Sequence, residues 1–365
     1  MNNHFNEVPY DLLVNLANAV ERTIGATNDR SIVQLATTLT NRREFRRRLY
    51  KIDELFIRDD PLQLANVPEA VGNRKIVKLQ DDLFFGALVG NQRVGTILLT
   101  NNDFARALSL DHSLLQRAPL NFLIGWDIDS HHWISNSIRF ATYVDCYFPA
   151  QFTNLDLYQR LFGDTTVQVP LGSVQWSMEQ LLSFSDCLSK PRQSNLPFGI
   201  HGFYQQFYQR NAIVSQWNTV SPYCLLSNNL TSYSSLSPSE RLGFWTGTTT
   251  HLVVPVNGDL PFRFFDGLIT LSCLLMPFNL KHQVNMLNLD EGEKNLIVYF
   301  RPSTLTSDEM NRLIEMCRHQ WEQVIAGGAD EITKDIEARV KNHHVSNRIE
   351  RLIREVDEIM HEDPQ

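Results

Sequence analysis

The chain has no window of the roughly 18 or more uninterrupted apolar residues that a membrane-spanning helix needs, so no such span is expected. Its first 13 residues, MNNHFNEVPYDLL, carry acids and lack the basic opening and apolar core of a signal peptide, which leads to the expectation of a cytoplasmic protein. Cysteine is sparse. Cys146, Cys187, Cys224, Cys273 and Cys317 are five in number, scattered, and form no C-x-x-C pair. They read as reduced, mostly structural thiols. Basic charge is in deficit, with 33 Lys and Arg against 41 Asp and Glu and a net charge of −8. General nucleic-acid binding needs a basic footprint and is not expected. No P-loop, G-x-S-x-G or H-E-x-x-H occurs, and the run GALVG at residues 86–90 falls short of a dinucleotide fingerprint. Internal repeats and low-complexity tracts are also missing.

What is present suits two globular domains: 365 residues, 43% hydrophobic and 20% charged. Four segments can be read. Residues 1–58 look helical, with Leu12, Leu13, Leu16 and Val20 at helical spacing. A second helical run there carries Arg42, Arg43, Arg46, Arg47, Arg48 and Lys51. This cluster is read either as a solvated helix face or as a contact for an anionic acceptor or the inner face of a membrane. Residues 59–188 alternate strand and helix signals, with strands expected at 75–79, 94–99, 121–125, 146–148 and 166–169. After a proline-bracketed linker, residues 198–306 repeat the alternation, with strands at 198–201, 223–226, 251–256, 273–276 and 295–299. Ser237-Pro238-Ser239-Glu240 is a helix start with proline inside the cap and glutamate three residues on. Residues 307–365 read as charged helices whose apolar stripes, such as Ile332, Ile336 and Val340, call for packing on another domain.

Two stretches carry candidate chemistry. Residues 253–277, VVPVNGDLPFRFFDGLITLSCLLMP, read as strand, polar turn, helix and strand. In open α/β sheets ligands bind outside the carboxyl ends of strands, where helix N-termini present N–H groups. Asn257 and Gly258 allow a tight turn. Asp259, Arg263 and Asp266 follow at spacings of four and three, which predicts one shared helix face. An arginine and a carboxylate there suit a ligand with a phosphate end and a hydroxyl end. The plainer reading is a surface helix with an internal ion pair. The second stretch, residues 126–133 (WDIDSHHW), follows an apolar strand. It is read as a D-x-D metal site, as a hydrolase metal site using Asp127, Asp129, His131 and His132, or as a loop offering a base to an acceptor hydroxyl. A structural role, with Asp127 or Asp129 capping a helix, also stands.

The run GDLPFRFFDGLI resembles the nucleotide-binding motif of bacterial glycosyltransferases of the GT-B type, in the CgeB-like branch of the group 1 enzymes, where the pattern reads G-D-L-x-x-R-x-F-E. Gly199-Ile200-His201-Gly202 with Arg210-Asn211, and the run NLIVYF at residues 295–300, are similar to the flanking stretches. Two departures stand out: Asp266 occupies the place of the commoner glutamate, and Leu271-Ser272-Cys273 that of a glycine-bearing turn. The resemblance implies an α/β protein with two Rossmann-like domains facing a cleft, a helical N-terminal extension and a helical tail crossing back to the first domain. It implies metal-independent transfer of a sugar from a nucleotide-sugar donor to a hydroxyl on a glycan or glycoconjugate, with no cofactor. Donor-binding residues would be His201, Arg210, Asn257, Gly258, Asp259, Arg263 and Asp266, with Asp266 on the ribose and the arginines on the diphosphate. Asp127, Asp129 and His131 would serve the acceptor. A metal-dependent hydrolase and a catalytically silent nucleotide-sugar-binding protein remain the alternatives.

Overall fold

The computed structural model describes residues 50, 53–60, 64–89, 92–112, 121–130, 134–183, 192–227, 235–256 and 258–361. The expected helices of residues 1–49 with their arginine cluster, Lys51, His131, His132 and Asn257 lie outside the described residues. Two units are distinguished. Of the described residues, unit 1 takes those up to 59, those within 69–169 and those from 352 onward; unit 2 takes those within 60–68 and 170–351. Among the described residues no helix is long and apolar enough to cross a membrane.

Unit 1 is built in the order β1 (Glu54–Arg58), β2 (Ala70–Val71), β3 (Arg74–Leu79), α1 (Asp81–Val89), β4 (Thr96–Thr100), α2 (Asn101–Leu110), β5 (Phe122–Asp127), α3 (Ile134–Tyr143), β6 (Cys146–Pro149) and α4 (Leu155–Phe162). Its sheet runs β2-β3-β1-β4-β5-β6, and every neighbouring pair is parallel except β2 with β3. Strands β4 (TILLT) and β5 (FLIGWD) are buried along their whole length, as central strands of a parallel sheet covered on both faces must be. Two expectations are corrected here. Residues 54–58, read as the end of a helical extension, form β1 between β3 and β4. Leu55 and Ile57 are its buried positions, so a period of two prevails over the helical reading. Residues 166–169 do not form a strand. They run beside β6 through Val167 N–H to Tyr147 O (3.3 Å) and Val169 N–H to Pro149 O (3.2 Å), with a single bridge at Thr166. Helix α2 starts on a capping box in which Thr100 and Asp103 exchange hydrogen bonds. Arg58, at the end of β1, donates to Asp103 at 2.5 Å and ties that strand end to the helix start.

Unit 2 contains α5 (Met178–Ser183), β7 (Gly199–Gly202), α6 (Tyr208–Asn218), β8 (Cys224–Ser227), α7 (Pro238–Gly247), β9 (Thr250–Leu252), α8 (Phe262–Ile269), β10 (Cys273–Pro277), α9 (Lys281–Asn285), α10 (Glu291–Asn295), β11 (Ile297–Phe300), α11 (Ser307–Ile325), α12 (Ala329–His343) and α13 (Val345–His361), whose last residues fall in unit 1. Parallel pairs β7–β8 and β9–β10–β11 are joined where Phe198 bridges His251: Phe198 N–H donates to Thr250 O and Leu252 N–H to Phe198 O, both at 2.9 Å. The resulting order is β8-β7-β9-β10-β11. Within each unit the five parallel strands therefore follow the order 2-1-3-4-5, the pattern of doubly wound sheets whose ligands sit where the winding reverses. Helix α7 opens as its sequence predicts: Ser237 Oγ accepts from Glu240 N–H and Glu240 returns a bond to Ser237 N–H.

Helix α8 corrects the spacing argument. It begins after Pro261, so Asp259 lies in the preceding turn and does not share a helix face with Arg263 and Asp266. Its far end closes in a Schellman motif, with Ser272 N–H to Gly267 O at 2.9 Å and Leu271 N–H to Leu268 O at 3.3 Å. Leu271 holds the left-handed position with φ 53°, where glycine is usual. Its side chain compensates by packing in a cluster with Trp176, Trp245 and Ile336. Gly267 faces β10 so closely that an added Cβ would stand 2.2 Å from Leu274 Cδ2 in the interior. Gly267→Ala is expected to destabilise the protein by about 1–3 kcal/mol, measured by urea unfolding at neutral pH.

Candidate functional site

In unit 2 the winding reverses between β7 and β9. Arg210, on α6, spans that point: its Nε donates to Val254 O at 3.1 Å and one terminal nitrogen donates to Gly202 O. These carbonyls lie at the end of β7 and just past the end of β9, so the guanidinium is fixed by main chain rather than by an acid. Arg210 lines a cleft of about 1010 Å³ at the carboxyl ends of β9, β10 and β11, together with Val256, Gly258, Phe278 and Arg301. Burial, and next the nearby Arg263 charge, bring the Arg210 pKa down to about 10, so it stays cationic at neutral pH. Arg301 adds an exposed second cation 4.8 Å from the Phe278 ring centre. Tyr208, 71% exposed, offers an aromatic face on the lining.

His201 and Arg263 stand behind Arg210. The His201 ring is buried, with Nδ1 3.1 Å from Gly199 O and Nε2 3.3 Å from both Val254 N and an Arg263 terminal nitrogen. This pattern assigns the proton to Nδ1 and leaves Nε2 as the acceptor. Burial, then the Arg263 and Arg210 charges, hold the imidazole pKa well below its ordinary value. A neutral His201 therefore orients Arg263, whose other terminal nitrogen donates to Ile200 O. Asp259 closes the turn before α8 by accepting from Val256 N–H at 3.0 Å, and Gly258 takes the φ of 80° that this turn requires.

Asp266 is placed differently. It is 1% exposed, and its two oxygens accept from Ser173 Oγ at 2.6 Å and Gln175 Nε2 at 2.5 Å. Burial raises its pKa to about 6, opposed by those two hydrogen bonds and by the charges of Arg263 and Arg241. The structure thus sets Arg210 and Gly258 on the cleft, His201 and Arg263 beside it, and Asp266 in the interior.

In unit 1, β5 delivers Asp127 to its carboxyl end. Tyr147 Oη donates to Asp127 Oδ2 at 2.7 Å, and Asp129 N–H donates to Oδ1 at 3.2 Å. Burial raises the Asp127 pKa to about 6; hydrogen bonds with Ser137 and Tyr147 pull it back and the Asp129 charge pushes it up. Asn101, the first residue of α2, braces the loop by donating to Asp129 Oδ2 at 3.0 Å and accepting from Ile128 N–H at 3.2 Å. Asp127 and Asp129 line a pocket of about 420 Å³ between α2 and α3, with Asn136, Ser137, Arg139 and His112. Sequence reasoning passed over Arg139, His112 and, in unit 2, Arg301. The one local signal for Arg301 is a cation directly after an apolar strand.

Among the described residues no three of His, Cys, Asp and Glu form a group able to hold a metal ion. Asp145 and His251 are engaged elsewhere. Asp145 accepts from Leu123 N–H at 2.7 Å, and the His251 ring stacks on Trp245 at 4.2 Å. Compared with protein-family models and with curated proteins, the chain matches none.

Proposed function

We propose that this protein transfers a sugar from a nucleotide-sugar donor to a hydroxyl acceptor, with the division of labour of GT-B glycosyltransferases: unit 2 holds the donor and unit 1 the acceptor. The observation that carries this reading is Arg210, pinned by Gly202 O and Val254 O at the reversal point of the unit 2 sheet and lining a cleft at the strand ends. A cation held in place before reaction stabilises charge that develops on a leaving diphosphate, without reorganisation. Arg301 serves the same charge from the other side of the strand ends. In the transfer, the bond from the sugar carbon to the diphosphate oxygen breaks, a bond to the acceptor oxygen forms, and the acceptor proton passes to Asp127. A carboxyl group with pKa near 6 is mostly deprotonated at neutral pH, as a base must be.

Titration calorimetry of the full chain with nucleoside diphosphates of the common bases tests the donor site. At least one binds the wild type, and Arg210→Gln weakens it about 10- to 100-fold, the range of a lost charge-assisted hydrogen bond. Arg301→Gln, a change at an exposed position, tests the same cleft without disturbing the β7–β9 junction and gives a smaller loss. Failure of every nucleoside diphosphate to bind the wild type, or unchanged affinity in both variants, overturns the donor assignment.

A further inference from the structure

The pocket of unit 1 holds opposite charges that do not neutralise each other. Arg139, on α3, lines it alongside Asp127 and Asp129. Burial is the sole cause that lowers the Arg139 pKa, whereas a carboxylate beside it would raise it. Among the described residues its Nε is buried without a hydrogen-bond partner. A partly desolvated guanidinium is costly without a counter-charge, and among the described residues no acid pairs with Arg139 in the wall of this cavity. Each carboxylate already holds a side-chain hydrogen bond, Asp127 from Tyr147 and Asp129 from Asn101. The same lining carries short neutral groups that donate and accept hydrogen bonds, Asn136 and Ser137. A volume of about 420 Å³ falls in the range of small-molecule sites.

We propose that this pocket binds a small hydroxylated anion, a sugar phosphate or a sugar acid, with its anionic group on Arg139 and a hydroxyl at Asp127. A ligand of this kind supplies the counter-charge that Arg139 lacks and a donor for the carboxylates in one molecule. Neutral sugars leave the guanidinium uncompensated, and a bare inorganic anion brings no hydroxyl to Asp127 and Asp129. Both bind more weakly. That this ligand is the acceptor rests on the transfer proposed above; its binding does not.

The test is calorimetric titration of the full chain with the phosphates, the acids and the neutral parents of glucose, galactose, mannose and ribose, and with inorganic phosphate. At least one sugar anion binds about tenfold tighter than both its neutral parent and inorganic phosphate. Tighter binding of the phosphates assigns a phosphate, and tighter binding of the acids assigns a carboxylate. Arg139→Gln removes the preference for the anion, Arg139→Lys restores part of it, and both leave nucleoside-diphosphate affinity unchanged. The proposal is overturned if no sugar anion binds at millimolar concentration, if neutral parents bind as well, or if Arg139→Gln keeps the preference. Nucleoside-diphosphate binding without sugar-anion binding removes this pocket and spares the donor site. The reverse result keeps the pocket and removes its role in transfer.

Discussion

If the proposed sugar transfer holds, asparagine in place of Asp127 lowers its rate by about 100- to 10,000-fold, the usual range for loss of a positioned general base. Nucleoside-diphosphate affinity stays where it was, because Asp127 belongs to unit 1 and the donor cleft to unit 2. The amide oxygen still accepts from Tyr147, so the pocket wall is retained. The pH profile gives the sharper signature. With burial holding the carboxyl at about 6, wild-type kcat/KM rises through that pH and then levels. The residual activity of Asp127→Asn lacks this limb. Tyr147→Phe removes a bond that favours the charged form, so its limb moves to higher pH. Initial rates from pH 5 to 8 for the three proteins check this. Wild-type activity in Asp127→Asn, or an unmoved limb in Tyr147→Phe, removes Asp127 from the chemistry.

The parts of the fold that were readable in the sequence are those written in consecutive residues. Strands β4, β5 and β10 are short apolar runs, and the α7 cap is spelled by Ser237 and Glu240. Strand β1 escaped because five residues of period two adjoin a longer helical pattern, and only pairing with β3 and β4 decides between them. The placing of Asp259 on a helix face counted spacing across Pro261, which marks where α8 begins. Of the candidate site, His201, Arg210 and Arg263 were found through a motif, but their division of labour was not. That depends on which carbonyl each nitrogen meets, and Val254 O comes beside Gly202 O only through the order of strands. Arg139 carries no local signature, and Arg301 only its place directly after an apolar strand. The winding of each sheet brings them to a cavity wall from helices and strands distant in sequence. Leu271 shows a converse case: a residue that seems to break a glycine turn keeps that turn, its side chain held in the core.

Acid destabilises this protein through buried imidazoles, His251 among them. Its ring lies 4.2 Å from Trp245, nearly parallel at 7°, with Nε2 3.0 Å from Trp245 O and Nδ1 buried without a partner among the described residues. Burial, then the charges of Arg192 and Arg263, lower its pKa to about 3. The unfolded chain binds this proton below about 6.5 and the folded protein only near 3. Stability is therefore full above 6.5 and falls as pH drops, by about 1.4 kcal/mol for each pH unit and about 2 kcal/mol by pH 5. His201, His343 and His344 are also lowered by burial and act in the same direction. Asp127 and Asp266, raised to about 6, act in the opposite direction: each adds stability as pH falls from 6 towards its ordinary value of 3.8. The two carboxyl groups thus offset part of the decline below pH 6. His251→Phe isolates one group. Phenylalanine keeps the stacking surface, and Trp245 O keeps the bond from Arg192 at 3.1 Å. Measured by urea unfolding at pH 7 and pH 5, the variant gains about 2 kcal/mol on the wild type between the two conditions. A difference that does not change with pH would mean that His251 takes up its proton equally in both states, and the neutral, stacked imidazole would not be the group that limits acid stability.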